Sequence, residues 1–271
     1  MMYKRLFYDK VTFTADTDDI TIIQPRYIHD VHIAFNCLQN GATAPTLATM
    51  LTAIDKVQVK LTGKIVTEMS GTDLLAYNTL VENRSIKYIV PTADNEVGLI
   101  EGLSLPLRLA AGEHVLSVRF LYNSVATIDT EKLTFATLES DEAIEDRHIE
   151  IPNFSFTPPS TAAYNTALDS TFTGDIEGFL VYSTTIPTTS ATTTSAAKIR
   201  LKAGGDIVYE GTWNDMAAQS HYPEESTLRA ITDNYVFLDF RKSVIPAGTR
   251  IEMEVYSDDT NTVRILPIIR L

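Results

Sequence analysis

The stretch KVQVKLTGKIVTE, residues 56–68, returns as KIRLKAGGDIVYE at residues 198–210. Extended without a gap to residues 56–77 and 198–219, the two copies agree at Lys56/Lys198, Lys60/Lys202, Gly63/Gly205, Ile65/Ile207, Val66/Val208, Glu68/Glu210, Asp73/Asp215 and Ala76/Ala218. Average residue usage gives roughly one or two chance identities in such a window. Val57/Ile199, Val59/Leu201 and Leu74/Met216 keep their apolar character. Apolar and polar residues alternate before Gly63 and Gly205, as they do on a strand whose side chains point to opposite faces. The two glycines supply the positive φ of a tight hairpin turn. After each hairpin the sequence reads as a short helix. Ser70 or Thr72 would cap the first and Thr212 or Asn214 the second, with Asp73 and Asp215 in the first turn, where the helix dipole favours a carboxylate.

A second echo follows in the same order. RLAAGEHV at residues 108–115 matches VIPAGTRI at 244–251, with the offset reduced from 142 to 136. Both read as a strand, a turn around Ala-Gly and a further strand. The chain is therefore a tandem duplication, with domains expected at residues 1–140 and 147–271. The acidic run ESDEAIED, residues 139–146, would be the linker between them.

Short β-branched and aromatic runs fill both halves, among them Val115–Phe120, Tyr235–Phe240 and Ile251–Tyr256. Their spacing, with turn residues between, gives about eight strands per half. The fold class expected is all-β: two tandem eight-stranded jelly rolls with short helices in their loops. Residues 183–195 contain ten Ser or Thr in 13 positions and read as an exposed loop. Residues 38–49 read as its counterpart in the first half. The terminal residues 266–271 would close a strand or reach a neighbour.

Composition narrows the function. The 271 residues are 44% hydrophobic and 21% charged, as in a globular protein, with no apolar run long enough for a membrane span and no secretory h-region at the N-terminus. The net charge of −13 disfavours binding along a nucleic-acid backbone. Lys4, Arg5 and Lys10 read as a solvated basic terminus. The single cysteine, Cys37, excludes an intrachain disulfide and reads as a buried thiol.

No catalytic constellation is evident. His29 and His32, three apart on a strand, should point to opposite faces and share no metal. His114, His148 and His221 have no ligand-type neighbours. Asp16-Thr17-Asp18-Asp19 opens like a calcium loop but lacks the glycine and glutamate that complete one. Ser257-Asp258-Asp259-Thr260-Asn261 reads as a hairpin turn. Trp213 reads as a packing residue. Catalytic and cofactor-binding residues are thus none and metal ligands unknown. A structural calcium holding acidic surfaces together is the one ion left open.

Ile54–Val66, followed by Asp73-Leu74-Leu75 and Val81-Glu82-Asn83, resembles the first domain of corticovirus-type major capsid proteins, the double jelly-roll proteins of tailless icosahedral phages with an internal membrane. The resemblance is residue-level over about 30 residues, and length and duplication carry it across the rest. It implies a homotrimer of six similar domains, a pseudo-hexameric tile of an icosahedral shell. It also implies neighbouring capsomers and minor capsid or vertex proteins as partners, peripheral contact with the internal membrane, no specific nucleic acid and no active site. The protein would reside in the virion after synthesis in the host cytoplasm. The runner-up is a tandem β-sandwich carbohydrate-binding or adhesion protein with ligands at the Ser/Thr loops. A duplicated cupin enzyme would need a His-x-His pair, which is absent from the sequence.

Overall fold

The structure, a computed structural model, describes residues 2–12, 18–22, 26–112, 115–141, 148–188 and 194–271. The chain divides into two compact units, Met1–Ile149 and Glu150–Leu271. In the first, β1 (Met2–Thr12), β2 (Asp18–Ile22), β3 (Tyr27–Gln39), β4 (Ile54–Leu61), β5 (Lys64–Met69), β6 (Lys87–Ile89), β7 (Val97–Leu109), β8 (Leu116–Tyr122) and β9 (Ile128–Ser140) form two antiparallel sheets. One runs β1-β9-β3-β7-β6 and the other β2-β8-β4-β5. Apart from the added β6, this is the strand order of a jelly roll: its two Greek keys interleave strands from both ends of the chain. Helices α1 (Leu47–Thr52) and α2 (Gly71–Ala76), the latter continued by a π-helical turn (Tyr77–Val81), fill the connections.

The second unit repeats the plan. Its strands are β10 (Ile149–Glu150), β11 (Phe154–Phe156), β12 (Ala163–Thr171), β13 (Asp175–Ser183), β14 (Lys198–Ala203), β15 (Asp206–Thr212), β16 (Tyr235–Asp239), β17 (Arg250–Ser257) and β18 (Val263–Arg270). The sheets run β10-β18-β13-β16, with β11 also on β18, and β12-β17-β14-β15. Helices α3 (Trp213–Gln219) and α4 (Ser226–Thr232) join β15 to β16.

The duplication extends to irregularities. In both hairpins the pairing slips by one residue at the same place: Val59↔Thr67 is followed by Lys60↔Ile65, and Leu201↔Tyr209 by Lys202↔Ile207. Val66 and Val208 are therefore equivalent bulge residues. Both turns place their two central residues at positive φ, Thr62 and Gly63 at 49° and 85°, Gly204 and Gly205 at 62° and 98°. That geometry continues the right-handed twist of the strands. Both following helices begin with a capping box. Asp73 N donates to Ser70 Oγ (3.1 Å) while Ser70 N donates to Asp73 Oδ2 (3.2 Å). Asp215 N donates to Thr212 Oγ1 (3.3 Å) while Thr212 N donates to Asp215 Oδ2 (2.9 Å). Each box satisfies amides that a helix start leaves without partners.

The cores form where the alternation of each strand turns inward. Ile33, Phe35, Val57, Val59, Val118, Phe120 and Phe135 are at most 1% exposed in the first unit. Phe179, Val181, Ile199, Leu201, Met253, Val255 and Ile265 are fully buried in the second. Each such side chain contributes roughly 1.5–3 kcal/mol relative to exposure.

Several expectations are corrected. Lys4, Arg5 and Lys10 belong to strand β1, which pairs with β9 from Met2↔Ser140 to Thr12↔Lys132. Glu139 and Ser140 are not linker but the buried end of β9, and residues 142–147 of the acidic run lie outside the described residues. Residues 38–49 are not all loop, because Leu38 and Gln39 end β3 and α1 starts at Leu47, capped by Thr46 Oγ1 accepting from Thr49 N at 3.1 Å. The second echo is one residue out of step: Leu61↔Leu116 corresponds to Ala203↔Ile251, so Leu116, not Val115, matches Ile251. The expectation that the terminal residues close a strand holds: residues 266–270 belong to β18.

Candidate functional site

Among the described residues no three His, Cys, Asp or Glu side chains converge as a metal would require. A bulge changes the reasoning at His29: Ile28 and Val31 are both fully buried although three apart, because pairing slips between Ile28 and Asp30. His29 and His32 thus lie on the same side of the sheet rather than on opposite sides. His114, Asp16 and Thr17 are outside the described residues; Asp18 and Asp19 begin β2. Cys37 is 2% exposed, and burial, reinforced by the charge of Glu131, pushes its thiol up to about 11.

The Ser/Thr segment is only partly exposed. Ser183, Thr194 and Ser195 are buried, and residues 189–193 lie outside the described residues. Thr185 Oγ1 lies 2.7 Å from Ser195 Oγ and donates to Asp259; Thr194 Oγ1 donates to Thr185 O at 2.8 Å. Asp259 in turn accepts from Asn261 N at 2.9 Å. These hydroxyls hold two loops together, so the turn at residues 257–261 is a structural anchor.

The solvent face of β12-β17-β14-β15 carries a ladder of opposite charges. Arg200 reaches Glu210 at 3.1 Å and Glu254 at 3.4 Å, its neighbours in register on β15 and β17. Lys202 reaches Glu252 and Glu254, each at 3.0 Å. The Arg200 guanidinium stands 4.2 Å from the ring centre of Tyr164, whose hydroxyl donates to Glu210 at 3.1 Å. Hydrogen bonds from Arg200 hold Glu210 below the usual carboxylate range, and hydrogen bonds from Lys202 do the same for Glu254. Directly opposed charges on adjacent strands fix register. The signal was in the sequence as Lys198-x-Arg200-x-Lys202 against Glu252-x-Glu254.

On the first unit, the face of β3, β9 and β7 turned away from the core holds two shallow cavities. One of about 350 Å³ is lined by His32, Ala34, Lys87, Glu101, Gly102 and Thr134 among others. The other, about 270 Å³, is lined by Asn36, Leu38, Lys132 and Thr134 among others.

Known structures share this architecture. The solved structure of the major capsid protein of Sulfolobus turreted icosahedral virus covers 100% of this chain and 97% of its own, with a TM-score of 0.78 and 13% identity. The major capsid protein P2 from bacteriophage PM2 aligns over 100% of this chain and 97% of its own, with a TM-score of 0.67 and 12% identity. PBCV-1 VP54 aligns over 100% and 93%, with a TM-score of 0.60 and 8% identity. No family model matches the sequence, and comparison with curated proteins finds no match. The chain has the double jelly-roll fold of viral major capsid proteins.

Proposed function

We propose that this chain is a major capsid protein whose trimers tile an icosahedral shell. The observation that carries the reading is the coextensive match: two jelly rolls, repeated down to the bulge and the capping box, span nearly the whole length of capsid proteins built the same way. The physical logic is symmetry. A hexagonal lattice needs six similar edges, and three two-domain chains supply them within a closed trimer. The role is structural rather than catalytic, and its place is the virion. Neighbouring capsomers, minor vertex proteins and an internal membrane are the surroundings this reading expects.

Class averages of the purified chain by electron microscopy test it. Hexagonal particles with six similar lobes support the tile. Isolated two-lobed particles at every concentration contradict it.

A further inference from the structure

Asn40-Gly41 is the only Asn-Gly pair in the sequence, and it follows the end of β3 with both residues exposed. Gly41 has a φ of +80°, and no atom lies within 4 Å of where its Cβ would be. Asparagine is a thermolabile residue. Its side-chain carbonyl carbon is an electrophile that can close a ring with the amide nitrogen of the next residue. A glycine in that next position lets the backbone turn and offers no side chain to block the attack.

The fold pins the nucleophile. Gly41 N donates to Asp94 Oδ1 at 2.7 Å, and Asp94 Oδ2 accepts from Asn95 Nδ2 at 3.0 Å. The ring closes through the deprotonated amide, and loss of that proton would set an anionic nitrogen against the carboxylate across the same 2.7 Å. Like charges so placed disfavour ionisation. The electrophile is held less firmly, because Asn40 Nδ2 reaches Ala126 O at 3.4 Å. Around the pair, Asn40 N donates to Thr127 O at 2.9 Å, Gln39 Nε2 to Gly41 O at 2.9 Å and Asn95 N to Gln39 O at 3.0 Å. The pair therefore sits where the end of β3 is tied to the β6-β7 and β8-β9 loops.

We propose that Asn40 is a site of spontaneous deamidation and that Asp94 restrains the reaction by holding the Gly41 amide. Gly41 N loses its proton to solvent and bonds to Asn40 Cγ. The Cγ–Nδ2 bond breaks, and the leaving nitrogen takes a proton from water and departs as ammonia. Water then adds to the succinimide, at Cγ to give aspartate or at the main-chain carbonyl carbon to give isoaspartate. Water is the only co-reactant. Isoaspartate routes the main chain through Cγ and sets a new negative charge close to Asp94, so it loosens the tie between β3 and the two loops. The site lies within the first unit alone and does not depend on the capsid reading.

Peptide mapping by mass spectrometry, with isoaspartate labelled by an isoaspartyl methyltransferase, follows residue 40 in the full chain stored at mildly alkaline pH. Deamidation is expected to be slow in the native wild type and fast in the urea-unfolded chain. Asp94→Ala, with circular dichroism confirming the fold, is expected to speed the native reaction by about tenfold or more, the factor that loss of one hydrogen bond to a charged group gives. Asp94→Asn, which keeps a neutral acceptor, is expected to fall between the two. Gln39→Ala frees the Gly41 carbonyl but leaves the amide held, and is expected to stay near wild type. An Asn40 that survives in the unfolded chain overturns the site. A folded Asp94→Ala or Asp94→Asn no faster than wild type, or a Gln39→Ala as fast as Asp94→Ala, overturns the restraint by Asp94.

Discussion

Gly71 and Trp213 occupy the same position in the two jelly rolls, the first residue of the helix that follows the hairpin, and neither can replace the other. A Cβ on Gly71 would lie 2.3 Å from the carbonyl oxygen of Leu51 in α1. In the second unit no helix stands between β13 and β14 among the described residues, and Trp213 is 3% exposed within the core cluster. Gly71→Ala forces backbone against backbone, which costs on the order of 3 kcal/mol or more. Trp213→Ala opens a cavity and costs roughly 3–5 kcal/mol. Denaturant unfolding of the two variants checks both, and a loss below about 1 kcal/mol in either would show that its site relaxes freely.

Asn78 ties the π-helical turn to β7. Its side chain donates to Leu74 O at 2.8 Å and Ser104 O at 3.0 Å, and accepts from Ser104 N at 2.9 Å, all fully buried. Asn78→Ala strands the Ser104 amide and carbonyl, a loss of roughly 2–3 kcal/mol. Hydrogen exchange should show the Ser104 amide losing protection more than amides on β4.

Acid should weaken the second unit through its charge ladder. Glu210, Glu254 and Asp169 have their carboxyls held down, first by hydrogen bonds from Arg200, Lys202 and Arg250 respectively. A depressed folded-state pKa gives stability that is present above the unfolded value, 4.5 for Glu and 3.8 for Asp, and is lost as pH falls through the folded value. Unfolding midpoints should drop as pH is lowered from 5 to below 4. The drop should be shallower in Arg200→Gln combined with Lys202→Gln. Equal slopes for wild type and variant would show that the ladder adds nothing.

Cys37 should be inert in the folded chain. With its thiol raised to about 11 and its side chain buried, little thiolate forms near pH 8. Alkylation by iodoacetamide should be slow in the native protein and fast after denaturation. Native labelling as quick as that of free cysteine would contradict the buried site.

The hairpins, their glycine turns, the capped helices after them and the duplication were legible because each rests on local chemistry: alternation, a positive-φ residue, a hydroxyl three residues before an aspartate. The bulge left a trace, the adjacent apolar pairs Ile65-Val66 and Ile207-Val208, which break the alternation. The bulge at His29 left none, and the rule of alternate faces failed there. Helix α1 hid in a stretch read as loop, although Thr46 with Leu47, Met50 and Leu51 carries a cap and an inward stripe. Helix α4 was missed because it is only seven residues long and Glu225 is an uncommon cap, accepting from Leu228 N at 2.7 Å. The contrast between Val66 and Val208 was not legible at all. The two residues are identical, and only packing makes one buried and the other exposed.

The native mass of the purified chain, measured by mass spectrometry or light scattering across a range of concentrations, tests the central claim most directly. A species of three chains is the result predicted for a duplicated jelly roll that tiles a shell. A single-chain mass at every concentration would contradict it.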